Sequence, residues 1–171
     1  TRFDGVDFLD AWSECRERHS GAEPVPPRVP LPQVAPKDPD NVETAALLEY
    51  LLGEIHNGAF DAALARFWLD KLVNKVEVSK RVHEGYGPDF RALDVAAHHD
   101  LSLYLRAAEV FEAAYTRFAA LPFLNVLLKI VDSLISVSAR FEHVDRGRLA
   151  WLIAREREHV RAIAKSRKVN W

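Results

Sequence analysis

The stretch PFLNVLLKIVDSLISVSAR, residues 122–140, is apolar around most of a helix circumference. At about 100° per residue its polar side chains form one narrow stripe, made of Asn125, Lys129, Asp132, Ser136 and Arg140. We expect this stripe to face water, with a polar seam inside the protein as the alternative. A helix that is apolar on its remaining sides is typical of the middle of a bundle. The stretch therefore predicts an all-α fold with this helix at its centre.

Helical spacing continues on both sides of this stretch, and no segment shows sustained strand alternation. A first helix is expected after a capping box formed by Asp40 and Glu43, and it should stop at HNG, residues 56–58. Further helices are expected over 60–82, from residue 89 to before Pro122, and over 145–167. In the helix over 60–82, the predicted core stripe is Phe60, Leu64 and Phe67. The pattern predicts a compact bundle of five main helices.

Residues 20–40, SGAEPVPPRVPLPQVAPKDPD, hold seven of the nine prolines. That density excludes a helix or a central strand and favours an extended, polyproline-like chain. We interpret the segment as a linker or strap between a short amphipathic helix in residues 1–19 and a helical bundle domain over 41–171. A PxxP ligand for an SH3 domain is disfavoured, because the basic residue that this consensus requires is not correctly placed at Arg28.

The composition is that of a soluble globular protein, with 49% apolar and 28% charged residues. No apolar run reaches the roughly 20 residues needed to span a bilayer, so no membrane is expected as a partner. The single cysteine, Cys15, excludes an internal disulfide and favours a cytoplasmic location. The sequence begins with Thr and contains no Met, so we expect it to be part of a larger protein or complex.

The net charge of −2 is unevenly distributed along the chain. Residues 1–145 carry 15 Lys and Arg against 23 Asp and Glu, whereas residues 146–171 carry 8 against 2. A basic helix of this kind would bind phosphate backbones without sequence preference. The alternative is a solvated or protein-docking face, since the helix dipole alone favours cations near a C-terminus. The nucleic-acid hypothesis assigns the contacts to Arg148, Arg155, Arg157, Arg161, Lys165 and Lys168.

Two adjacent histidines, His98 and His99, lie in the predicted third helix. They point to different sides, so they cannot bind one ion together. His98 follows Asp94 by four residues, which indicates an exposed pair within the helix. Six residues separate Arg91 from His98, a spacing that resembles the Arg–His motif of HEPN ribonucleases. Ala92 stands where that motif usually has a polar residue. The resemblance implies a ribonuclease in which Arg91 and His98 are catalytic, and we keep it as an alternative.

Glu156 and His159 have the Glu-x-x-His spacing of di-iron helical bundles. Such a site needs a second Glu-x-x-His, and the sequence contains none, so we expect no metal and no cofactor. Glu156 falls near the centre of an apolar stripe and is expected to be buried. A buried carboxylate needs a partner, for which Lys71 and Lys129 are the predicted choices.

No glycine-rich phosphate loop and no nucleophile elbow are present in the sequence. The features together predict a non-catalytic helical interaction or assembly domain that binds a protein partner or parent chain. Nucleic-acid binding through the basic last helix and an HEPN-like ribonuclease are the two alternatives.

Overall fold

The structure, a computed structural model, describes residues 22–38, 41–58, 60–84, 90–138 and 145–169. Within its helices the side chains at 76–84, 90–100, 136–138 and 167–169 are outside the description. Five helices follow one another, and these ranges contain no strand: α1 (Thr44–Asn57), α2 (Ala62–Glu84), α3 (Phe90–Phe118), α4 (Leu121–Ser138) and α5 (Arg146–Val169). The all-α class and the five main helices are thereby confirmed. The short helix expected in residues 1–19 lies outside the described residues.

Polar side chains and one glycine define several helix ends. Asp61 precedes α2 and Asp145 precedes α5, and each carboxylate accepts a hydrogen bond from the backbone N–H three residues later, at 2.7 and 3.1 Å. These are N-cap hydrogen bonds. Gly58 ends α1 in the left-handed conformation, with φ of 81°. The predicted capping box is wrong, because Glu43 is itself the N-cap residue of α1 and makes no capping hydrogen bond with its side chain.

The central helix of the bundle is α3, because it packs against each of the other four helices. Residues 107–114 of α3 are buried on every side of the helix. The prediction that residues 122–140 form the central helix is therefore wrong. Two glutamates in the middle of α3 make that segment look solvent-facing in sequence, although both are buried. In α4 the described members of the polar stripe, Asn125, Lys129 and Asp132, are exposed, as expected.

The buried face of α2 differs from the predicted one. Phe60, which precedes α2, is buried as expected, but Leu64 and Phe67 are exposed. Trp68 is buried instead, and its ring meets that of Tyr50 edge to face at 5.5 Å. Helix α2 carries apolar residues on two adjacent faces, and the packing of Trp68 against α1 decides which of them enters the core. The buried apolar residues of α2 are Ala65, Trp68, Leu69 and Leu72.

Residues 22–38, called the proline segment below, lie along the bundle without forming helix or strand. Three prolines of the segment, Pro27, Pro30 and Pro36, are partly buried, and its other residues are exposed. Their separations are multiples of three, which is the period of the polyproline II helix. The segment contacts α1, α3 and α5.

None of the helices within the described ranges is both long and apolar enough to cross a membrane.

The central position of α3 can be tested at Phe111, which is fully buried and lies with its ring 6.5 Å from that of Phe123. Phe111→Ala should lower the free energy of unfolding by about 3–5 kcal/mol, because it leaves a cavity in the core. The measurement is urea denaturation followed by circular dichroism. Lys129→Ala, on the exposed stripe of α4, is the control and should change stability by less than about 0.5 kcal/mol. A similar effect of both substitutions would contradict the central placement of α3.

Candidate functional site

Two carboxylates lie buried one turn apart on the central helix. Glu109 is 0% exposed and Glu112 is 4% exposed. Removing a carboxylate from water costs several kcal/mol unless it is paired and hydrogen-bonded. The partners of these two groups therefore determine how the neighbouring helices are arranged around α3.

Glu109 pairs with two arginines. Arg148 of α5 forms a bidentate pair with it: Nη2 donates to Oε1, and Nε donates to Oε2 at 3.2 Å. Arg106 Nη1 donates to Oε1 at 3.4 Å, and Arg106 Nε and Nη2 donate to the carboxylate of Glu49 on α1 at 2.7 and 3.0 Å. Burial lowers the pKa of Arg106, but the hydrogen bonds and charges of Glu49 and Glu109 outweigh it and raise the pKa above its ordinary value. The guanidinium therefore stays charged and links α1 to α3.

Glu112 binds three side chains through a single oxygen. Its Oε1 accepts hydrogen bonds from Thr116 Oγ1 at 2.8 Å and from Arg155 Nε at 2.9 Å, and it lies 3.0 Å from His159 Nε2. Burial raises the pKa of Glu112, but the hydrogen bonds from His159, Arg155 and Thr116 and the charge of Arg155 outweigh it and leave the pKa below 4.5. Because an ionised carboxylate only accepts hydrogen bonds, His159 needs its proton on Nε2 to bind it.

The cluster of Thr116, His159 and Glu112 contains the residue types of a nucleophile triad but not its arrangement. In such a triad the acid binds one ring nitrogen of the histidine and the nucleophile binds the other. Here Thr116 Oγ1, at 3.4 Å, and Glu112 Oε1 both approach the same nitrogen, Nε2. Thr116 also donates its proton directly to the carboxylate. The arrangement stabilises Glu112 rather than activating the hydroxyl.

The Glu-x-x-His residues of α5 are Glu156 and His159, and His159 lies beside one further carboxylate, that of Glu112. Within the described ranges, no group of three or more His, Cys, Asp or Glu side chains is placed to hold a metal ion. His159 instead contacts Glu112, and its ring meets that of Tyr115 edge to face at 4.9 Å. Of the three predicted buried polar residues, Glu156 is buried, Lys71 is partly exposed and Lys129 is exposed.

The basic residues of α5 do not share one outer face. Arg148 and Arg155 turn towards α3, where they bind Glu109 and Glu112. Arg155 Nη1 also lies 2.8 Å from Glu158 Oε2, and Arg155 Cζ lies 5.9 Å from the centroid of the Trp151 ring. Lys165 is exposed. The other predicted phosphate-binding residues are Arg157 and Arg161, which are partly buried, and Lys168, whose side chain is outside the description. The side chains of Arg91 and His98 are also outside it.

A pocket of about 440 Å³ adjoins Glu112. It lies between the C-terminal ends of α1 and α3, the first half of α5 and the proline segment. Arg117 on its edge donates to the carbonyl oxygen of Phe60 at 3.1 Å, so this guanidinium already binds the chain after α1. The walls are mostly apolar, with Trp151 the largest side chain; among the lining residues are Pro26, Pro27, Ile55, Trp151 and Arg155.

The burial of Glu109 and Glu112 was not predicted from the sequence. The evidence was present in AAEVFEAAY, residues 107–115, where these two glutamates are the only charged residues among small and apolar ones. Such a segment has no continuous polar face, so at least part of its charge must be buried. The sequence offers no comparable indication that Arg148 and Arg155, about 40 positions later, are the partners.

Comparison of the chain with protein-family models, with curated proteins and with solved structures gives no match in any of the three. Inference about function therefore depends on the geometry of this chain.

The low pKa of Glu112 predicts a specific pH dependence. Because the folded-state pKa lies below the unfolded value of about 4.5, the unfolded chain binds more protons in acid. The stability from this group is therefore present above pH 4.5 and is lost as the pH falls below it. Glu112→Gln should lower the free energy of unfolding by about 1–3 kcal/mol at neutral pH. The difference from the unsubstituted chain should shrink when urea denaturation is repeated below pH 4.5.

Glu158→Gln is the matched control, because Glu158 also pairs with Arg155 but is exposed. Its effect on stability should stay below about 1 kcal/mol at neutral pH. If Glu112→Gln lowers stability equally at neutral and acid pH, the carboxylate is not held ionised by its partners.

Proposed function

We propose that this chain is a non-catalytic helical interaction domain that binds another protein. The observation that carries the proposal is an exposed apolar pair on α2, formed by Leu64 and Phe67. Their exposed fractions are 43% and 47%. The two residues lie one helical turn apart on one face, and Lys71 Nζ lies 5.8 Å from the centroid of the Phe67 ring. We call Leu64 and Phe67 the apolar pair.

Nearly half of each side chain of the apolar pair is in contact with water. Fully burying a Leu or Phe side chain yields about 1.5–3 kcal/mol, and a partner that covers the pair gains the part that belongs to its exposed fraction, roughly half. Scattered exposed apolar residues are normal on proteins, whereas neighbouring ones are typical of interaction sites. Among the large apolar side chains of the described helices, Leu121 is also exposed, but it stands at the start of α4. An amphipathic helix with an apolar face is the kind of partner that fits.

The internal charge pairs support a function without catalysis. Arg106, Arg148 and Arg155 bind buried or half-buried carboxylates, and Thr116 and His159 both bind Glu112. Each of these groups has a structural partner, and such pairing holds neighbouring helices in place.

The double variant Leu64→Glu/Phe67→Glu tests the proposal. We expect the unsubstituted chain, immobilised and exposed to a lysate of its source organism, to retain a defined protein partner. The double variant should retain at least about tenfold less of it, because both apolar contacts are lost. Quantitative mass spectrometry measures the retained protein, and circular dichroism checks that the helices persist.

Lys129→Glu is the matched control, since it adds an acidic side chain at an exposed position on α4, a different helix from that of the apolar pair. It should retain the partner fully. Equal retention by the double variant and by this control would refute a role for the apolar pair.

Nucleic-acid binding by α5 stays a prediction from sequence. Because Arg148 and Arg155 already bind glutamates, we expect the chain purified at low salt to carry no nucleic acid. The measurement is the ultraviolet absorbance ratio and the native mass, before and after nuclease and high-salt washing. Nucleic acid that co-purifies and is removed by salt would favour the alternative. The ribonuclease alternative also stays a prediction, since it concerns the side chains of Arg91 and His98.

A further inference from the structure

We propose that the bundle face beneath the proline segment is a binding groove for extended, proline-rich segments of a partner protein. In this chain residues 22–38 are the intramolecular occupant, and a proline-rich segment of the partner can replace them. We call this face the proline groove; Gly53, Arg106 and Gly147 form its floor. The inference rests on the proposed function in treating the chain as a protein-binding domain, but it uses a surface separate from the apolar pair.

Two glycines let the proline segment approach the helices closely. A Cβ atom added to Gly147, in the first turn of α5, would lie 2.7 Å from Val25 Cγ2, closer than real contacts allow. A Cβ atom added to Gly53, within α1, would lie 3.4 Å from the carbonyl oxygens of Pro30 and Leu31. Glycine inside a helix costs about 0.5–1 kcal/mol relative to alanine. At Gly147 it leaves room for the Val25 side chain and for the backbone of Glu23, whose carbonyl oxygen would lie 3.2 Å from such a Cβ atom, whereas at Gly53 the added atom would be at the limit of ordinary contact.

The proline groove recognises the main chain of its occupant. Arg106 Nη2 donates to the carbonyl oxygen of Arg28 at 2.8 Å, and the carbonyl oxygen of Gly147 accepts from the N–H of Val25 at 2.9 Å. Polyproline II chains make no internal hydrogen bonds, so their carbonyls are available for this contact. Arg106 is held in place by Glu49 and does not depend on the proline segment for its position. Any extended segment with an N–H at the position of Val25 can make both bonds.

Side chains of the proline segment show which chemistry the groove selects. The partly buried ones are all prolines, at 27, 30 and 36. Two aliphatic side chains point away from the bundle, since Leu31 is 84% exposed and Val34 is 90% exposed. Prolines at the spacing of the polyproline II helix therefore lie against the helices, together with the side chain of Val25 at Gly147 and that of Val29 at the pocket.

The pocket beside Trp151 gives a partner segment a contact that the chain's own proline segment does not fill. A partner segment displaces the chain's own segment only if it binds the groove with a more favourable free energy. The pocket of about 440 Å³ adjoins Pro26 and Pro27, and its helix side includes Ile55 and Trp151 beside charged and polar side chains such as Glu112 and Arg155. A larger apolar side chain at position 26 of a competing segment would contact both of these residues. Grooves lined by aromatic side chains are typical of polyproline recognition.

The proline segment is covalently joined to the bundle, so it competes with any free peptide for the groove. A segment on the same chain acts at an effective concentration of roughly millimolar, so it outcompetes a free peptide. Weakening the resident segment should therefore expose the groove. Pro27→Asp/Pro30→Asp in the full chain replaces two partly buried prolines by charged residues and leaves the floor unchanged.

The probe is a fluorescently labelled synthetic peptide with the sequence of residues 22–38, and the readout is fluorescence anisotropy. We expect the Pro27→Asp/Pro30→Asp chain to bind this peptide at least about tenfold more tightly than the unsubstituted chain. A peptide carrying Val25→Pro should bind at least about tenfold more weakly, because it lacks the N–H that Gly147 accepts. A peptide carrying Pro26→Leu should bind more tightly, because it reaches the pocket. The two altered peptides require no change in the chain and so cannot fail through misfolding.

A substitution at Gly147 tests whether the floor of the proline groove is needed for peptide binding. Gly147→Val, added to the Pro27→Asp/Pro30→Asp chain, should abolish peptide binding, whereas Lys129→Val on the exposed stripe of α4 should leave it unchanged. Equal affinity of the unsubstituted chain and the Pro27→Asp/Pro30→Asp chain, or equal affinity of the peptides with and without Val25→Pro, would overturn the proposal. Peptide binding without a partner for the apolar pair would support the groove and refute the proposed function of α2. A partner retained by α2 without peptide binding would refute the groove alone.

Discussion

The rest of the structure depends on the pairing of two carboxylates that lie inside the bundle. Glu109 and Glu112 belong to the central helix, where an unpaired charge would cost several kcal/mol. Glu109 takes its partners from α3 and α5, and Glu112 takes two of its partners from α5. These bonds fix the position of α5 along α3. Arg106 extends the connection to α1 through Glu49 and to the proline segment through the carbonyl oxygen of Arg28.

The same pairing limits which functions the surface can perform. Arginines that satisfy buried glutamates lose much of their capacity to bind phosphate, so α5 is less basic towards solvent than its sequence indicates. His159 and Thr116, which resemble parts of a catalytic site in composition, bind Glu112 through one nitrogen and one hydroxyl. The polar groups in the middle of the molecule thus serve the packing of helices against one another.

The two surfaces proposed for binding lie on the outside of the helical bundle. The apolar pair on α2 is a small surface that a helix of another protein can cover. The proposed proline groove is a longer surface with main-chain contacts, two glycines in its floor and a pocket beside Trp151. The two proposed surfaces differ in chemistry, because one exposes apolar side chains and the other contacts an extended proline-rich chain. The proline groove lies on the helices that the buried ion pairs connect, α1, α3 and α5, whereas the apolar pair lies on α2.

The sequence by itself determined the all-α class, the five helices and several helix ends. These features depend on interactions between residues that are close together in the chain. Asp145 caps the N-terminus of α5 by accepting a hydrogen bond from the N–H of Arg148, and Gly58 ends α1 by its left-handed conformation. The exposed stripe of Asn125, Lys129 and Asp132 follows from the helical period alone. Only the tertiary structure decided that α3 is central, that α2 buries Trp68 and exposes Phe67, and that Arg148 and Arg155 face inward. The physical reason is that a buried charge is stable only beside a partner, and the partners of Glu109 and Glu112 on α5 lie about 40 positions away along the chain. Helical period cannot show which distant helix supplies them.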